Sequence, residues 1–129
     1  MERLELKYND SLKVLIKLKD ILKEPFSIIV RDATIQRFKY TFEALWKMVK
    51  EYLKVREGII CNSPRSCFRK IFSLELLTED ETVRCLDMTD RRNDTSHTYK
   101  EEVAQLIYGK TKEYLLLMDN LLKKIKMKI

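Results

Sequence analysis

"IQRFKYTFEALWKMVKEY", residues 35–52, sets Ile35, Phe38, Phe42, Leu45, Val49 and Tyr52 at alternating spacings of three and four. That rhythm brings all six onto one face of an α-helix and matches the seam of a helical bundle. Phe42 and Trp46 widen the seam into an aromatic flank. A stripe of this kind is core chemistry far more often than a ligand box, and it points to an all-α fold.

The flanking segments repeat the signal. Leu4, Tyr8, Leu12, Leu15, Leu18 and Leu22 recur at three and four, and Pro25 keeps Glu24 out of the helical region, predicting a first helix over 3–24. The seam helix is expected over 31–56, with Gly58 marking its end. Ser63 followed by Pro64 is an N-cap and a first helical residue, opening a third helix over 64–77. Thr78 and Glu81 form a capping-box pattern for a fourth over 79–94, in which Arg91 stands four residues from Asp87 as a surface ion-pair partner. Thr98 and Glu101 repeat the box, predicting a last helix over 99–127 along Val103, Ile107, Tyr114, Met118, Leu121 and Ile125. Two glycines and two prolines in 129 residues leave little turn chemistry. The expectation is one domain, 1–129, folded as an up-and-down bundle of about five helices.

Twenty-six basic against twenty acidic residues give a net charge of +6. This suits a polyanion such as RNA, and equally a lysine-rich solvated surface. Cys61, Cys67 and Cys85 are odd in number and contain no C-x-x-C pair; with a single histidine they make no zinc set, and buried reduced thiols are expected. The N-terminus is charged from its second residue, unlike an ordinary signal peptide, and no apolar run approaches the roughly 20 residues that span a bilayer, so a cytoplasmic protein without membrane contact is expected. Neither Gly58 nor Gly109 is followed by serine and no P-loop occurs, so the chain is not expected to transfer nucleotides itself or to hold a cofactor or metal.

One stretch is left over: "RRNDTSHTYK", residues 91–100, containing the only histidine. Four polar side chains in a row, Asn93 to Ser96, compete for backbone hydrogen bonds, so the run reads first as a turn between the fourth and fifth helices. That does not account for Arg92, His97 and Tyr99. Asn93 lies four residues before His97 and could orient its imidazole from the same helical face. Arg92 lies five before it, roughly 140° away around an ideal helix, so the two meet on one phosphate only if the helix bends or ends between them, or if a second chain supplies the partner.

Arg92-Asn93-x-x-x-His97-x-Tyr99 resembles the Arg-x4-His-x-Tyr motif of HEPN-fold proteins, in the branch of toxin subunits paired with minimal nucleotidyltransferases, also called nucleotidyltransferase substrate-binding proteins. "RDATIQRFKYTFEALWK" (31–47) resembles that family's second helix, and "SPRSCFRKIF", from Ser63, its third, so the likeness runs along nearly the whole chain. The resemblance implies a dimeric HEPN-like bundle whose two Arg-His motifs meet in an interface cleft. It also implies a metal-independent endoribonuclease acting on RNA, with Arg92, Asn93 and His97 as catalytic residues. A partner minimal nucleotidyltransferase would silence it by adding AMP to Tyr99. Other relatives are known mainly as partner subunits of a nucleotidyltransferase, so the alternative is a non-catalytic subunit that presents substrate to one.

The chemistry suits these residue types. Metal-free RNA cleavage needs a base for the 2′-hydroxyl, an acid for the leaving oxygen, and positive charge on the phosphate. Imidazole exchanges protons near neutral pH, and a guanidinium grips two phosphate oxygens. One histidine cannot be acid and base at once, whereas a homodimer supplies two.

Overall fold

The computed structural model describes residues 2–129 and is helical throughout: α1 (Glu2–Ile21), α2 (Ile28–Tyr52), α3 (Pro64–Ser73), α4 (Glu79–Asp94) and α5 (Glu101–Lys126). A π-helical turn, Leu53–Glu57, extends α2, and a 3-10 turn, Thr95–His97, follows α4. There is no strand among the described residues. None of the helices is long and apolar enough to cross a membrane, among the same residues.

Local chemistry sets most boundaries. The Ser27 hydroxyl accepts from Val30 N–H at 3.0 Å and starts α2 a turn earlier than position 31. Gly58, at φ 67°, closes the π turn in the left-handed conformation that glycine adopts without strain. Ser63 caps α3 through Ser66 N–H at 3.2 Å, with Pro64 at the first helical position. The Thr78–Glu81 box is complete: Glu81 N–H donates to Thr78 Oγ1 at 3.1 Å, and Thr78 N–H donates back to Glu81 Oε1 at 2.9 Å.

Three expectations are corrected. Helix α3 stops at Ser73 rather than Leu77, because Glu75 turns left-handed (φ 63°). Its N–H then bonds Phe72 O at 2.9 Å and that of Leu76 bonds Ile71 O at 3.2 Å, a Schellman closure with glutamate in the place usually given to glycine. Thr98 does not cap α5. It stays in a right-handed helical conformation and its hydroxyl donates to Thr95 O at 3.4 Å, whereas an N-cap needs extended backbone; Lys100 takes the cap position without a side-chain bond, so α5 begins at Glu101. Cys61 and Cys67 are not reduced thiols but a disulfide, their Cα atoms 5.3 Å apart across the turn that Ser63 caps. Only Cys85 is a buried free thiol.

All six seam residues of α2 are buried. That helix packs against α1, α3 and α5, while α4 packs against α3 and α5. Phe38 stacks on Tyr114 of α5 with centroids 5.5 Å apart, and Phe42 meets the edge of Phe68 of α3 at 6.1 Å. The Tyr114 hydroxyl reaches Asp87 of α4, which also accepts from Lys110 at 3.1 Å and pairs with Arg91 at 3.7 Å. Arg31, buried at the start of α2, donates to Glu101 and, at 3.1 Å, to Gln105 of α5. These polar ties fix the helix ends on either side of residues 95–100.

Candidate functional site

The last turn of α4 carries Arg92 and Asn93, and the 3-10 turn after it carries His97. The helix therefore ends between Arg92 and His97, one of the arrangements that their spacing left open. Competing side-chain bonds explain the ending: Thr95 Oγ1 donates to Arg92 O at 2.6 Å and Ser96 Oγ to Asn93 O at 3.2 Å.

Arg92 is a half-buried, anchored cation. Its Nη1 forms an ion pair with Glu43 Oε1 at 2.9 Å, and its guanidinium carbon lies 4.9 Å from the Phe42 ring centroid. Its Nε is buried and makes no hydrogen bond among the described residues. Glu43 thus holds Arg92 from α2, and its other oxygen, Oε2, accepts from the Trp46 indole at 3.1 Å. Neither Glu43 nor the Phe42 face stands out in the sequence as part of a site. The only signal there is a carboxylate set beside an aromatic seam residue.

His97 and Tyr99 lie outward. Their rings meet edge-on with centroids 6.1 Å apart, and Tyr99 is 78% exposed. Asn93 is also exposed, and no hydrogen bond joins it to His97 among the described residues, so the orienting role expected of its amide is not seen within one chain. Nor does a hydrogen bond or ring contact join Arg92 to His97. The fold brings His97 and Tyr99 together and holds Arg92 one short turn upstream.

A family model described as nucleotidyltransferase substrate binding protein like matches residues 5–127. The chain belongs to this family. A solved structure from Thermus thermophilus is 39% identical, with a TM-score of 0.84 over 88% of this chain and 96% of that one. The nucleotidyltransferase substrate binding fold is also shared with a mutant of the toxin–antitoxin pair MntA–HpeT, at 12% identity and TM-score 0.82 over 98% of this chain and 99% of that one. It recurs in HI0074 from Haemophilus influenzae, described as a substrate binding domain of a nucleotidyltransferase, at 19% identity and TM-score 0.62 over 97% and 98%. The last two likenesses concern the fold alone. No curated protein sequence matches the chain.

Proposed function

We propose that this chain is the HEPN-type subunit of a two-component toxin–antitoxin system, partnered by a minimal nucleotidyltransferase, and that it is a metal-independent endoribonuclease. The grouping of Arg92, His97 and Tyr99 around the broken end of α4 carries this reading: a shaped guanidinium, an accessible imidazole and an accessible phenol within eight residues. Arg92 neutralises the scissile phosphate. One His97 takes the proton of the 2′-hydroxyl, whose oxygen attacks the adjacent phosphorus. The His97 of a second protomer protonates the departing 5′-oxygen, leaving a 2′,3′-cyclic phosphate. The active form is a homodimer, because each chain has one histidine. Asn93 serves the same cleft.

Tyr99 is the silencing position. Its phenolic oxygen attacks the α-phosphate of ATP in the partner's active site, pyrophosphate leaves, and the AMP adduct brings negative charge and bulk into a basic site. The exposure of Tyr99 supports this role. The test has two arms. Purified chain with RNA in EDTA should yield cyclic-phosphate ends. Chain incubated with its neighbouring nucleotidyltransferase, ATP and magnesium should gain AMP on Tyr99 by mass spectrometry, and Tyr99→Phe should gain none. Metal-dependent cleavage, or an adduct confined to other residues, overturns the corresponding arm.

A second reading has its own observation. Glu43 already neutralises Arg92, which suits a non-catalytic subunit that presents substrate to a nucleotidyltransferase. Absence of cleavage with any RNA, together with a stable complex with the nucleotidyltransferase, decides for it.

A further inference from the structure

The surface between α1 and the second half of α2 holds a groove of about 330 Å3 that the motif does not use. Five cations line it: Arg3 and Lys7 from α1, and Lys47, Lys50 and Lys54 from α2 and its π turn. None of the five makes an ion pair among the described residues. Some lysines elsewhere find partners, Lys19 and Lys123 on Asp119, Lys110 on Asp87 and Lys124 on Glu81, while others such as Lys13 and Lys112 stand singly among the described residues; what sets the groove apart is five cations gathered around one concavity. Glu51 is the one carboxylate in the groove wall. A smaller hollow of about 120 Å3, lined by Lys7, Asp10, Ala44 and Lys47, shares two of the lysines and continues the concavity along α2.

Concentrating five cations around a concave site with one carboxylate in its wall leaves a net excess of positive charge that costs folding energy through repulsion, and a bound polyanion relieves it. The groove also has an aromatic wall. Trp46, the only tryptophan in the chain, lines it with Lys50 Nζ 5.9 Å from its ring centroid. Cations that follow a phosphate backbone, next to a ring on which a base stacks, are how proteins bind single-stranded nucleic acid without reading its sequence. The groove volume sits at the small end of ligand pockets, roughly 300–1,000 Å3, enough for a nucleotide or two. Its position supplies the direction. Glu43 accepts from the Trp46 indole at 3.1 Å and pairs with Arg92 at 2.9 Å, so one carboxylate joins the aromatic wall to the motif arginine.

We infer that the Arg3–Lys7–Lys47–Lys50–Lys54 groove is a docking track for single-stranded RNA, with a base on Trp46 and the strand leading toward Arg92. The inference rests on the proposed RNA substrate, and it requires binding rather than cleavage. The probe is a labelled 2′-O-methyl oligouridylate, which has no free 2′-hydroxyl and cannot be cut. Binding is followed by anisotropy and by Trp46 fluorescence, across a salt series. Wild type should bind with quenching of Trp46. The double variant Lys47→Glu, Lys50→Glu should bind at least about tenfold more weakly, its salt slope falling by roughly 0.7 for each phosphate no longer neutralised. The charge-matched control Lys13→Glu, Lys112→Glu should bind like wild type, and circular dichroism should show all three folded. No binding by wild type, equal weakening in the control, or unquenched Trp46 overturns the track. Groove-dependent binding by a chain that cuts no RNA supports the track and removes the ribonuclease reading. Cleavage unaffected by the groove variants does the reverse.

Discussion

Glu43 holds Arg92: its Oε1 lies 2.9 Å from Arg92 Nη1, while its Oε2 accepts from Trp46 of its own helix at 3.1 Å. The motif arginine is therefore positioned by α2 rather than by its own helix, and its charge is already partly answered. In Glu43→Gln the amide keeps a hydrogen-bond acceptor for Trp46 but removes the competing charge. The pair is partly buried, with side chains 23% and 29% exposed, so removing the carboxylate charge should cost more than the roughly 0–1 kcal/mol of a surface pair and lower the urea midpoint measurably. RNA affinity should rise several-fold because phosphate no longer displaces a carboxylate. A drop in affinity would show that Glu43 orients Arg92 for the substrate instead of competing with it.

Substitution at the motif should separate two roles. His97→Ala removes the proton carrier and should cut the cleavage rate roughly a hundredfold or more, with binding of the uncleavable oligonucleotide unchanged. Arg92→Lys loses the planar fork and its stacking over Phe42, and should damage binding and cleavage together. Cleavage at the wild-type rate by His97→Ala would remove the imidazole from the mechanism.

Glu75 occupies a left-handed turn position at φ 63° that costs a non-glycine residue about 1 kcal/mol. Glu75→Gly relieves this but frees the unfolded chain, so a net gain of about 0.5 kcal/mol is expected in chemical denaturation. Destabilisation would mean that the glutamate side chain has a role beyond the turn.

The Cys61–Cys67 bond closes a short loop, with a sequence separation of 6. Cys61→Ser should cost about 2 kcal/mol under oxidising conditions and little under reducing ones. Burial pushes the Cys85 thiol up to about 12, with the nearby Glu81 charge adding to it, so Cys85 should resist alkylation in the folded protein whatever the state of the other two. Rapid labelling of Cys85 under native conditions would contradict its burial.

Acid should loosen the α4–α5 contact. The Thr78 N–H bond lowers the Glu81 carboxyl below its ordinary range, with Lys124 assisting against burial. Burial raises Asp87, but bonds from Tyr114 and Lys110 and the Arg91 charge outweigh it, leaving a net lowering. A depressed native value means that both groups contribute stability above their unfolded values, and lose it as pH falls through the native ones. Urea midpoints should hold from about pH 7 to about pH 5 and fall below that, with a shallower fall in Glu81→Gln.

The bundle was legible because burial leaves a periodic trace. Ile35 to Tyr52 carries it without interruption and Ile107 to Ile125 with one polar step at Thr111, and Ser63-Pro64 and Thr78–Glu81 mark helix starts by local chemistry that needs no tertiary partner. The misreadings fall where tertiary or backbone geometry decides. Glutamate at a left-handed position and Thr98 held in a 3-10 turn break residue preferences, and a Cys pairing depends on how a loop folds back. At the candidate site, Arg92, His97 and Tyr99 were visible as an unusual run. Glu43, on a helix far upstream, was not, because an ion pair between distant helices leaves no spacing to read.

Residues 95–100 hang between two moorings: Arg92 tied to Glu43 on one side, Arg31 tied to Glu101 and Gln105 on the other. Of these six, Ser96, His97, Tyr99 and Lys100 are exposed and none is buried. The positions that would do chemistry and the positions that make the protein fold are thus nearly disjoint sets. Activity at this segment can be gained, altered or lost by substitution while the fold below is left intact. Few changes in this segment can therefore alter its surface chemistry while the buried seam beneath it stays as it is.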